Sequence, residues 1–377
     1  MLDTFLDHTD VLWGFLVAAA IGLVLTPHIS SVARYLGVVD EPGDRRRIHR
    51  RPVPLLGGIA LFLAIFVPAL AFLPLDGPYR GILIGAALAT LLGLLDDTRG
   101  LPWWTKLTGQ FGVAAVPVSF GVVLDAFTFP FLGRQELPAW LAISVTLLWI
   151  VAIMNMVNFV DGMDGLAAGI CGIAGATFAV IALSLGKPEA AVLSAIVAGA
   201  CGGFLRHNFY PARIFMGDSG ALLLGFTLAT VSVEGLLKTA ATVALFLPLV
   251  VLLVPILDTS FVVAKRLKHG LPVYHADDWH FHHRFRNIGF SQRRAVVYLW
   301  AWCAILAGAA LATRFIPFRA GGVWNLWPTV AVSVIGVVAM AASLYIVLLL
   351  EILKLRKVRE WALWRREAEA RRERKTA

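Results

Sequence analysis

The chain has 377 residues, of which 59% are apolar and 15% are charged, against about 25% charged residues in ordinary soluble domains. This balance excludes a soluble two-domain enzyme, a disordered protein and a disulfide scaffold, and it predicts apolar runs long enough to cross a lipid bilayer. The net charge of +9 arises from 33 basic and 24 acidic residues, and its meaning depends on where the basic residues lie.

Eleven apolar runs follow one another along the chain, and a helix of about 20 such residues crosses the ~30 Å hydrocarbon layer. The N-terminus lacks the basic segment of a cleaved signal peptide, so we expect the first run to be a retained helix. The predicted fold class is an all-α polytopic membrane protein, with one transmembrane domain over residues 1–350. The runs are 11–33, 55–74, 81–95, 107–124, 139–158, 166–185, 190–205, 219–235, 240–263, 295–313 and 327–350.

The basic residues lie mostly on one side of this predicted membrane domain. If all eleven runs cross, 27 of the 33 Lys and Arg residues follow odd-numbered runs. Because cytoplasmic segments are enriched in Lys and Arg, the asymmetry predicts an outside N-terminus and a cytoplasmic C-terminus. Residues 351–377 are predicted to form a basic cytoplasmic helix, which either lies on the anionic leaflet or serves as a solubilising charged tail.

Carboxylates near the membrane are costly, and here they gather at the cytoplasmic ends of the runs. Asp96 and Asp97 end the third run, and Lys106 follows nine residues after Asp97. Adjacent carboxylates repel each other unless a cation or a proton lies near them. The pair is therefore either a solvated helix end or a functional site, where it binds a metal or supplies a base beside a phosphate held by Lys106.

A second polar series ends the fifth run. Asn155, Asn158, Asp161 and Asp164 recur at intervals of three, with glycines where the helix meets the loop. This spacing predicts that each neighbouring pair shares a helix face. Amide and carboxylate oxygens are hard ligands that suit Mg²⁺, and four of them at regular spacing favour a metal or substrate site over a simple helix cap.

A glycine-rich turn precedes the eighth run. It contains Asp218, which can cap the following helix and also point at a metal. Asn208 lies at the other end of the same short loop. Both residues fall on the predicted cytoplasmic side, with the other polar clusters.

The long loop after the ninth run contains His280, His282, His283 and Arg284. Imidazole and guanidinium groups beside a carboxylate cluster suit a phosphate-bearing substrate. A zinc site and a merely solvated basic loop are the alternatives, although no cysteine supports zinc. The chain has no phosphate-binding loop of the G-x-x-x-x-G-K-[ST] type and no convincing dinucleotide fingerprint, so ATP hydrolysis and nicotinamide chemistry are not expected.

These motifs together resemble one family, the polyprenyl-phosphate N-acetylhexosamine-1-phosphate transferases. Residues 93–97 are similar to its D-D segment, 155–166 to N-x-x-N-x-x-D-G-x-D-G-L, 208–220 to N-x-x-P-A-x-x-F-M-G-D-x-G and 280–283 to its H-x-H-H loop. Residues 40–58 are similar to the first cytoplasmic loop of the bacterial N-acetylglucosamine branch. The sequence departs from the pattern where a usual serine is Ala221 and where an Asp-Arg-Ser is replaced by 277–279, Asp-Asp-Trp.

The resemblance implies transfer of a sugar 1-phosphate from a UDP-sugar to undecaprenyl or decaprenyl phosphate, with release of UMP. It implies Mg²⁺ as cofactor, with Mn²⁺ as the alternative ion, and an enzyme of the inner (plasma) membrane whose active site faces the cytoplasm. The resemblance implies that Asn158 and Asp218 bind the metal and that Asp96 or Asp97 deprotonates or orients the lipid phosphate. It implies that Asp161 and Asp164 line the nucleotide–sugar pocket and that Asn155 and Asn208 contact the substrate. The residues that it implies for phosphate binding are Lys106, His280, His282, His283 and Arg284.

Two other functions stand as alternatives. Within the family, the sugar could be phospho-MurNAc-pentapeptide, although the first-loop signature disfavours it. Outside the family, a lipid or sugar transporter would place its ionisable groups near the bilayer centre, often in repeats, whereas here they lie at one face and no repeat is found. The expected partners are the two substrates and the membrane, with a homodimer as a family expectation and no nucleic acid.

Overall fold

The computed structural model describes residues 8–41, 52–129, 133–237, 252–268, 289–317 and 323–349, together with Leu249 and 319–320. Within these ranges the chain is dominated by α-helices, and each of the predicted runs overlaps one of them. The all-α architecture is therefore confirmed. The helices are α1 Thr9–Tyr35, α2 Gly57–Phe72, α3 Gly77–Arg99, α4 Trp103–Ser119, α5 Ala139–Val160, α6 Leu166–Ser184, α7 Pro188–Asn208, α8 Gly217–Val231, α9 Leu253–Lys268, α10 Gln292–Phe315 and α11 Leu326–Leu349.

Seven of these helices are long and apolar enough to cross a membrane: α1, α3, α5, α6, α7, α10 and α11. The apolar helix α2 has 16 residues, and α8 has 15 before it continues as a π-helical turn, Ser232–Leu237. The chain is thus a multi-pass membrane protein, whereas the number of eleven crossings stays a prediction. Much of the ninth run and the whole of the tail, 351–377, lie outside the described residues.

In the described part of the chain, three short antiparallel hairpins lie in the connecting segments. They are β1–β2 (Val39–Asp40 with Val53–Pro54), β3–β4 (Ala126–Phe129 with Gly133–Glu136) and β5–β6 (Arg319–Ala320 with Val323–Trp324). In the first hairpin Val39 pairs with Pro54 and Asp40 with Val53. This pairing brings the segment that follows α1 back to the start of α2.

Helix α8 lies at the centre of the molecule, and most of its side chains have no exposed surface. It contacts α2, α3, α5, α6 and α7. A helix that is enclosed by other helices can be apolar on all sides, as α8 is. Helix α1 packs against α7 through small residues such as Gly14, Ala18 and Gly22, which let two helix backbones approach closely.

Candidate active site

Four helix ends meet at one end of the bundle and bring the predicted polar residues together. The C-terminus of α3 carries Asp96 and Asp97, and the first turn of α4 carries Lys106. The C-terminus of α5 carries Asn158, and the N-terminus of α8 carries Asp218. These helices pack side by side, so residues far apart in the sequence become direct neighbours.

The ammonium group of Lys106 lies at the centre of this cluster. Its Nζ is 2.8 Å from Asp96 Oδ2 and also forms an ion pair with Asp218. It donates a third hydrogen bond to Asn158 Oδ1, at 3.3 Å. Asn158 in turn donates through Nδ2 to Asp218 Oδ1, at 2.6 Å. One cation thus neutralises carboxylates from two helices, as the repulsion between these acids requires.

Asp97 caps the N-terminus of α8. Its carboxylate accepts the backbone N–H of Asp218 at 2.7 Å and that of Ser219 at 3.1 Å, and it also accepts the Ser219 hydroxyl at 2.8 Å. The first N–H groups of a helix have no partner inside the helix, and a carboxylate there is stabilised by the helix dipole. The sequence had indicated that Asp218 itself can cap this helix. That expectation is wrong, because Asp218 is the second residue of α8 and its own N–H is the group being capped.

Two glycines allow α8 to reach this position. A Cβ atom on Gly93 of α3 would lie 2.4 Å from the backbone nitrogen of Ser219, and one on Gly58 of α2 would lie 2.3 Å from the Ser219 hydroxyl oxygen. Gly217 opens the helix with a φ of 67°, a conformation that glycine adopts without strain. No role for Gly58, Gly93 or Ser219 was expected from the sequence. Glycine is frequent in membrane helices, so a glycine within an apolar run does not by itself indicate such a contact.

The series at the end of α5 does not stay on one helix. Asn155 and Asn158 lie on α5, but the helix ends at Val160, and Asp161 and Asp164 lie beyond it. The expectation that every neighbouring pair shares a helix face is therefore wrong for the two acids. Asp164 instead accepts the backbone N–H of Ala212, at 2.8 Å, and so binds the loop that precedes α8.

Asn208 also connects the loop that follows α5 to the loop that precedes α8. Its Oδ1 accepts the N–H of Gly165 at 3.0 Å, and its Nδ2 donates to the carbonyl of Ile214 at 2.9 Å. The side chain is buried, with 2% of its surface exposed. A buried amide that satisfies both of its polar ends in this way fixes its neighbours, and this bracing contact was not anticipated from the sequence.

Asn155 is paired with α4. Its Nδ2 donates to Gln110 Oε1 at 2.6 Å, and Gln110 Nε2 donates back to Asn155 Oδ1 at 3.3 Å. The partner, Gln110, is fully buried. The reciprocal pair ties α5 to α4 next to the Lys106 cluster, while the substrate contact expected of Asn155 stays a prediction.

A cavity of about 290 Å³ opens beside these groups. Its polar lining includes the predicted residues at the ends of α5 and α8 and two that the sequence analysis did not single out, Asp40 of β1 and Gln292 at the start of α10. The carboxylates that line it are those of Asp40, Asp97, Asp161, Asp164 and Asp218. Such a density of acids suits a ligand that arrives with a divalent cation.

The carboxyl group of Asp161, just after the end of α5, has a strongly raised pKa. Burial, and then the charges of Asp218, Asp97 and Asp164, raise the pKa of its carboxyl from 3.8 to about 8. Removing water and gathering like charges both disfavour the ionised form. Asp161 therefore carries a proton at neutral pH unless a cation enters the cavity, which is the behaviour expected of a site prepared for positive charge.

The donor set fits Mg²⁺ bound together with a substrate phosphate. Among the described residues, no three His, Cys, Asp or Glu side chains form a ready-made metal site. Mg²⁺ is usually held by one or two carboxylates, water and substrate phosphates rather than by a complete protein cage. Asp218 and Asn158, 2.6 Å apart across their hydrogen bond and facing the cavity, provide oxygens of the right kind.

His280, His282, His283 and Arg284, and the departure at 277–279, lie outside the described residues. The other departure, Ala221, is fully buried in α8.

Comparison with known proteins gives a consistent result. The sequence model of "Glycosyl transferase family 4" matches residues 79–236. The chain is 36% identical to the probable undecaprenyl-phosphate N-acetylglucosaminyl 1-phosphate transferase of Bacillus subtilis, over 82% of this chain and 85% of that protein. It is 34% identical to the decaprenyl-phosphate N-acetylglucosaminephosphotransferase of Mycobacterium tuberculosis strain H37Rv, over 80% and 82%. It is 33% identical to the phospho-N-acetylmuramoyl-pentapeptide-transferase of Desulforudis audaxviator, over 79% and 95%.

Proposed function

The chain belongs to the polyprenyl-phosphate N-acetylhexosamine-1-phosphate transferases of glycosyl transferase family 4, and on that basis we propose that it transfers N-acetylglucosamine 1-phosphate from UDP-N-acetylglucosamine to a polyprenyl phosphate. The observation that carries the proposal is the cluster in which Lys106 contacts Asp96, Asn158 and Asp218. It supplies fixed positive charge and carboxylates beside a cavity, which phosphoryl transfer requires more than covalent help.

The reaction exchanges one phosphoanhydride bond for another. An oxygen of the lipid phosphate forms a bond to the β-phosphorus of the UDP-sugar. The bond from that phosphorus to the oxygen bridging to the α-phosphate breaks, and UMP leaves with the bonding electrons. The products are UMP and a polyprenyl diphosphate that carries the sugar.

We assign Lys106 to binding the phosphate groups that take part in the transfer. Its ammonium group is held by Asp96 on one side and by Asp218 on the other, so its position is fixed before substrate arrives. A cation that is already in place stabilises developing negative charge without the cost of reorganising solvent. His280, His282, His283 and Arg284 are proposed to add further positive charge around the diphosphate.

Asp218 and Asn158 are the residues that would hold Mg²⁺. When bound there, the ion would neutralise negative charge on the diphosphate and would help to orient it. Asp161 and Asp164 are proposed to line the nucleotide–sugar pocket, in agreement with their place on the cavity wall.

We assign Asp97 the role of positioning the N-terminus of α8. Its two oxygens accept three hydrogen bonds from Asp218 and Ser219, and this geometry supports a role in aiming the N-terminus of α8. The role as a base that deprotonates the lipid phosphate, expected from the sequence for Asp96 or Asp97, stays a prediction that the pH profile of a variant can test.

The proposed placement in the membrane follows from the charge distribution. Eleven crossings, with the N-terminus outside and the C-terminus in the cytoplasm, put the cluster at the cytoplasmic face of the inner membrane. A soluble nucleotide sugar then reaches the cavity from the cytoplasm, while the lipid phosphate lies at headgroup level. We propose this arrangement because both substrates meet there without crossing the bilayer.

A second candidate substrate is UDP-MurNAc-pentapeptide, since a phospho-N-acetylmuramoyl-pentapeptide-transferase is 33% identical to the chain. The test is UMP release by the purified chain with polyprenyl phosphate, Mg²⁺ and either UDP-N-acetylglucosamine or UDP-MurNAc-pentapeptide. We expect turnover with the first and little with the second. Preference for the second would replace the proposed sugar, and movement of substrate without cleavage would favour the transporter.

A further inference from the structure

A second cavity, of about 440 Å³, lies between the last turns of α1, strand β2 and the loop that follows α7. It shares none of its lining residues with the candidate active-site cavity. Its polar lining includes Ser31 and Arg34 of α1, His207 at the end of α7, and Arg213 of the loop. We call it the basic cavity.

The charged side chains among the described lining residues of the basic cavity are all basic. No Asp or Glu is among its described lining residues. Within the described ranges, neither Arg34 nor Arg213 forms an ion pair, and the side chain of Arg34 has only a 3.5 Å contact with the Ser31 hydroxyl. Two guanidinium groups without an ionic partner among the described residues suit a phosphate or a carboxylate.

The backbone around the cavity is held in place. The N–H of Arg213 donates to the carbonyl of His207 at 2.9 Å, and its own carbonyl accepts the Ser30 hydroxyl at 3.4 Å. His207 is fixed as well, because its Nε2 donates to the carbonyl of Leu23 at 3.0 Å. The loop after α7 is thus tied to α1, and Arg34 and Arg213 extend from neighbouring, anchored segments.

The surroundings point to a lipid rather than to a soluble anion. The basic cavity lies at the end of α1, a helix long and apolar enough to cross the membrane, and therefore at headgroup level. Toward the bilayer, α1 exposes large apolar side chains, among them Leu23 at 45%, Val24 at 56% and Val32 at 48% exposure. Basic pockets between helices on the cytoplasmic side of membranes accept anionic headgroups.

We propose that the basic cavity binds the phosphate of an anionic phospholipid, with Arg34 and Arg213 as its main ligands and the acyl chains lying along the apolar surface of α1. This site is separate from the one that the proposed reaction uses. The chemistry of the lining residues suits the phosphate group of a lipid in the cytoplasmic leaflet. The placement in that leaflet rests on the orientation proposed above.

The test is native mass spectrometry of the purified full-length chain, titrated with phosphatidylglycerol or with phosphatidylcholine of the same chain length. We expect preferential retention of phosphatidylglycerol by the wild type. Arg34→Gln and Arg213→Gln should each weaken that retention roughly fivefold, as expected for one basic residue at an anionic surface. Lys268→Gln is the matched control, because Lys268 is an exposed basic residue at the end of α9 and should leave retention unchanged.

Several outcomes would overturn the proposal. Equal retention of the two lipids, or wild-type retention by both arginine variants, would show that the basic cavity is not the site. Displacement of phosphatidylglycerol by inorganic phosphate at equal concentration would identify a free-phosphate site instead. Arg34→Gln changes an exposed residue of a helix, so this variant should fold. It therefore tests the proposal even if Arg213→Gln, in the loop, fails to fold.

Discussion

The carboxylate of Asp97, at the end of α3, accepts the backbone N–H of Asp218, at the start of α8, at 2.7 Å. This bond joins two motifs that are 121 residues apart in the sequence. It makes the direction of α8, and hence the position of Asp218 beside the cavity, depend on an acid of another helix. The contacts around this bond lead to four testable predictions.

The first prediction concerns the Asp97 cap. Ser219→Ala removes one of the hydrogen bonds that Asp97 accepts, which should cost about 0.5–1.5 kcal/mol of stability and reduce kcat severalfold. Asp97→Asn should reduce both properties further, because an amide has only one acceptor oxygen. The measurements are the thermal unfolding midpoint in detergent and UMP release across pH.

The control for this pair is Thr98→Ala. Thr98 follows Asp97 in the chain, but it is exposed and bonds only to its own helix, so neither property should change. If Asp97→Asn kept its unfolding midpoint while the acidic limb of its pH–rate profile shifted or vanished, Asp97 would be a base rather than a positioning residue.

The second prediction concerns the close approach of α3 to α8. Gly93→Ala places a methyl group 2.4 Å from the backbone nitrogen of Ser219, and since backbone cannot move aside as a flexible side chain can, α8 must shift. We expect the free energy of unfolding to fall by about 1–3 kcal/mol and most of the activity to be lost. Gly112→Ala is the control, since a Cβ there meets no atom within 4 Å. A Gly93→Ala variant as active as Gly112→Ala would contradict the packing argument.

The third prediction concerns Lys106. Lys106→Gln removes the cation shared by Asp96 and Asp218, and we expect kcat to fall about 10²–10³-fold, the range found when a preorganised electrostatic contact is lost. Single-turnover UMP release with saturating substrates and Mg²⁺ measures this effect. Lys268→Gln, an exposed basic residue on α9, should retain wild-type turnover. Comparable turnover in the two variants would remove Lys106 from the mechanism.

The fourth prediction is a pH dependence of stability. The pKa of the Asp161 carboxyl is raised from 3.8 to about 8, so the folded chain holds a proton that the unfolded chain releases. Stability is therefore lost as pH rises from about 4 to about 8. Asp161→Asn removes this loss. In the absence of Mg²⁺ and substrate, the unfolding midpoint of the variant should therefore lie above that of the wild type, and the difference should be larger at pH 8 than at pH 5. Asp76→Asn, at an exposed acid, is the control, and a gain at Asp161 that does not grow with pH would contradict the account.

The sequence predicted the parts of this site whose signal is local. Apolar runs of membrane length anticipated the helices, and Asp96, Asp97 and Asp218 stood out because carboxylates near a membrane are costly. Contacts between distant segments could not be read in the same way. Nothing local to Asn208 indicates that it braces Gly165 and Ile214, because a buried amide and a substrate-binding amide look identical in one sequence.

The helix boundary at Val160 was missed for a related reason. A regular interval of three continues from Asn155 to Asp164, but the helix ends before Asp161. Asp164 then bonds the backbone of Ala212, a contact between two loops. Periodicity describes a helix only as far as the backbone continues, and here tertiary contacts decide where it stops.

The central claim is that the Lys106–Asp218 cluster transfers a sugar phosphate to a lipid phosphate with the help of Mg²⁺. The most direct measurement is UMP release from UDP-N-acetylglucosamine by the wild type and by Asp218→Ala, with polyprenyl phosphate and Mg²⁺ each present or omitted. The account predicts UMP in step with lipid-linked sugar only when both are present, and its loss in Asp218→Ala. Wild-type UMP release by Asp218→Ala, or release that needs no lipid phosphate, would contradict it.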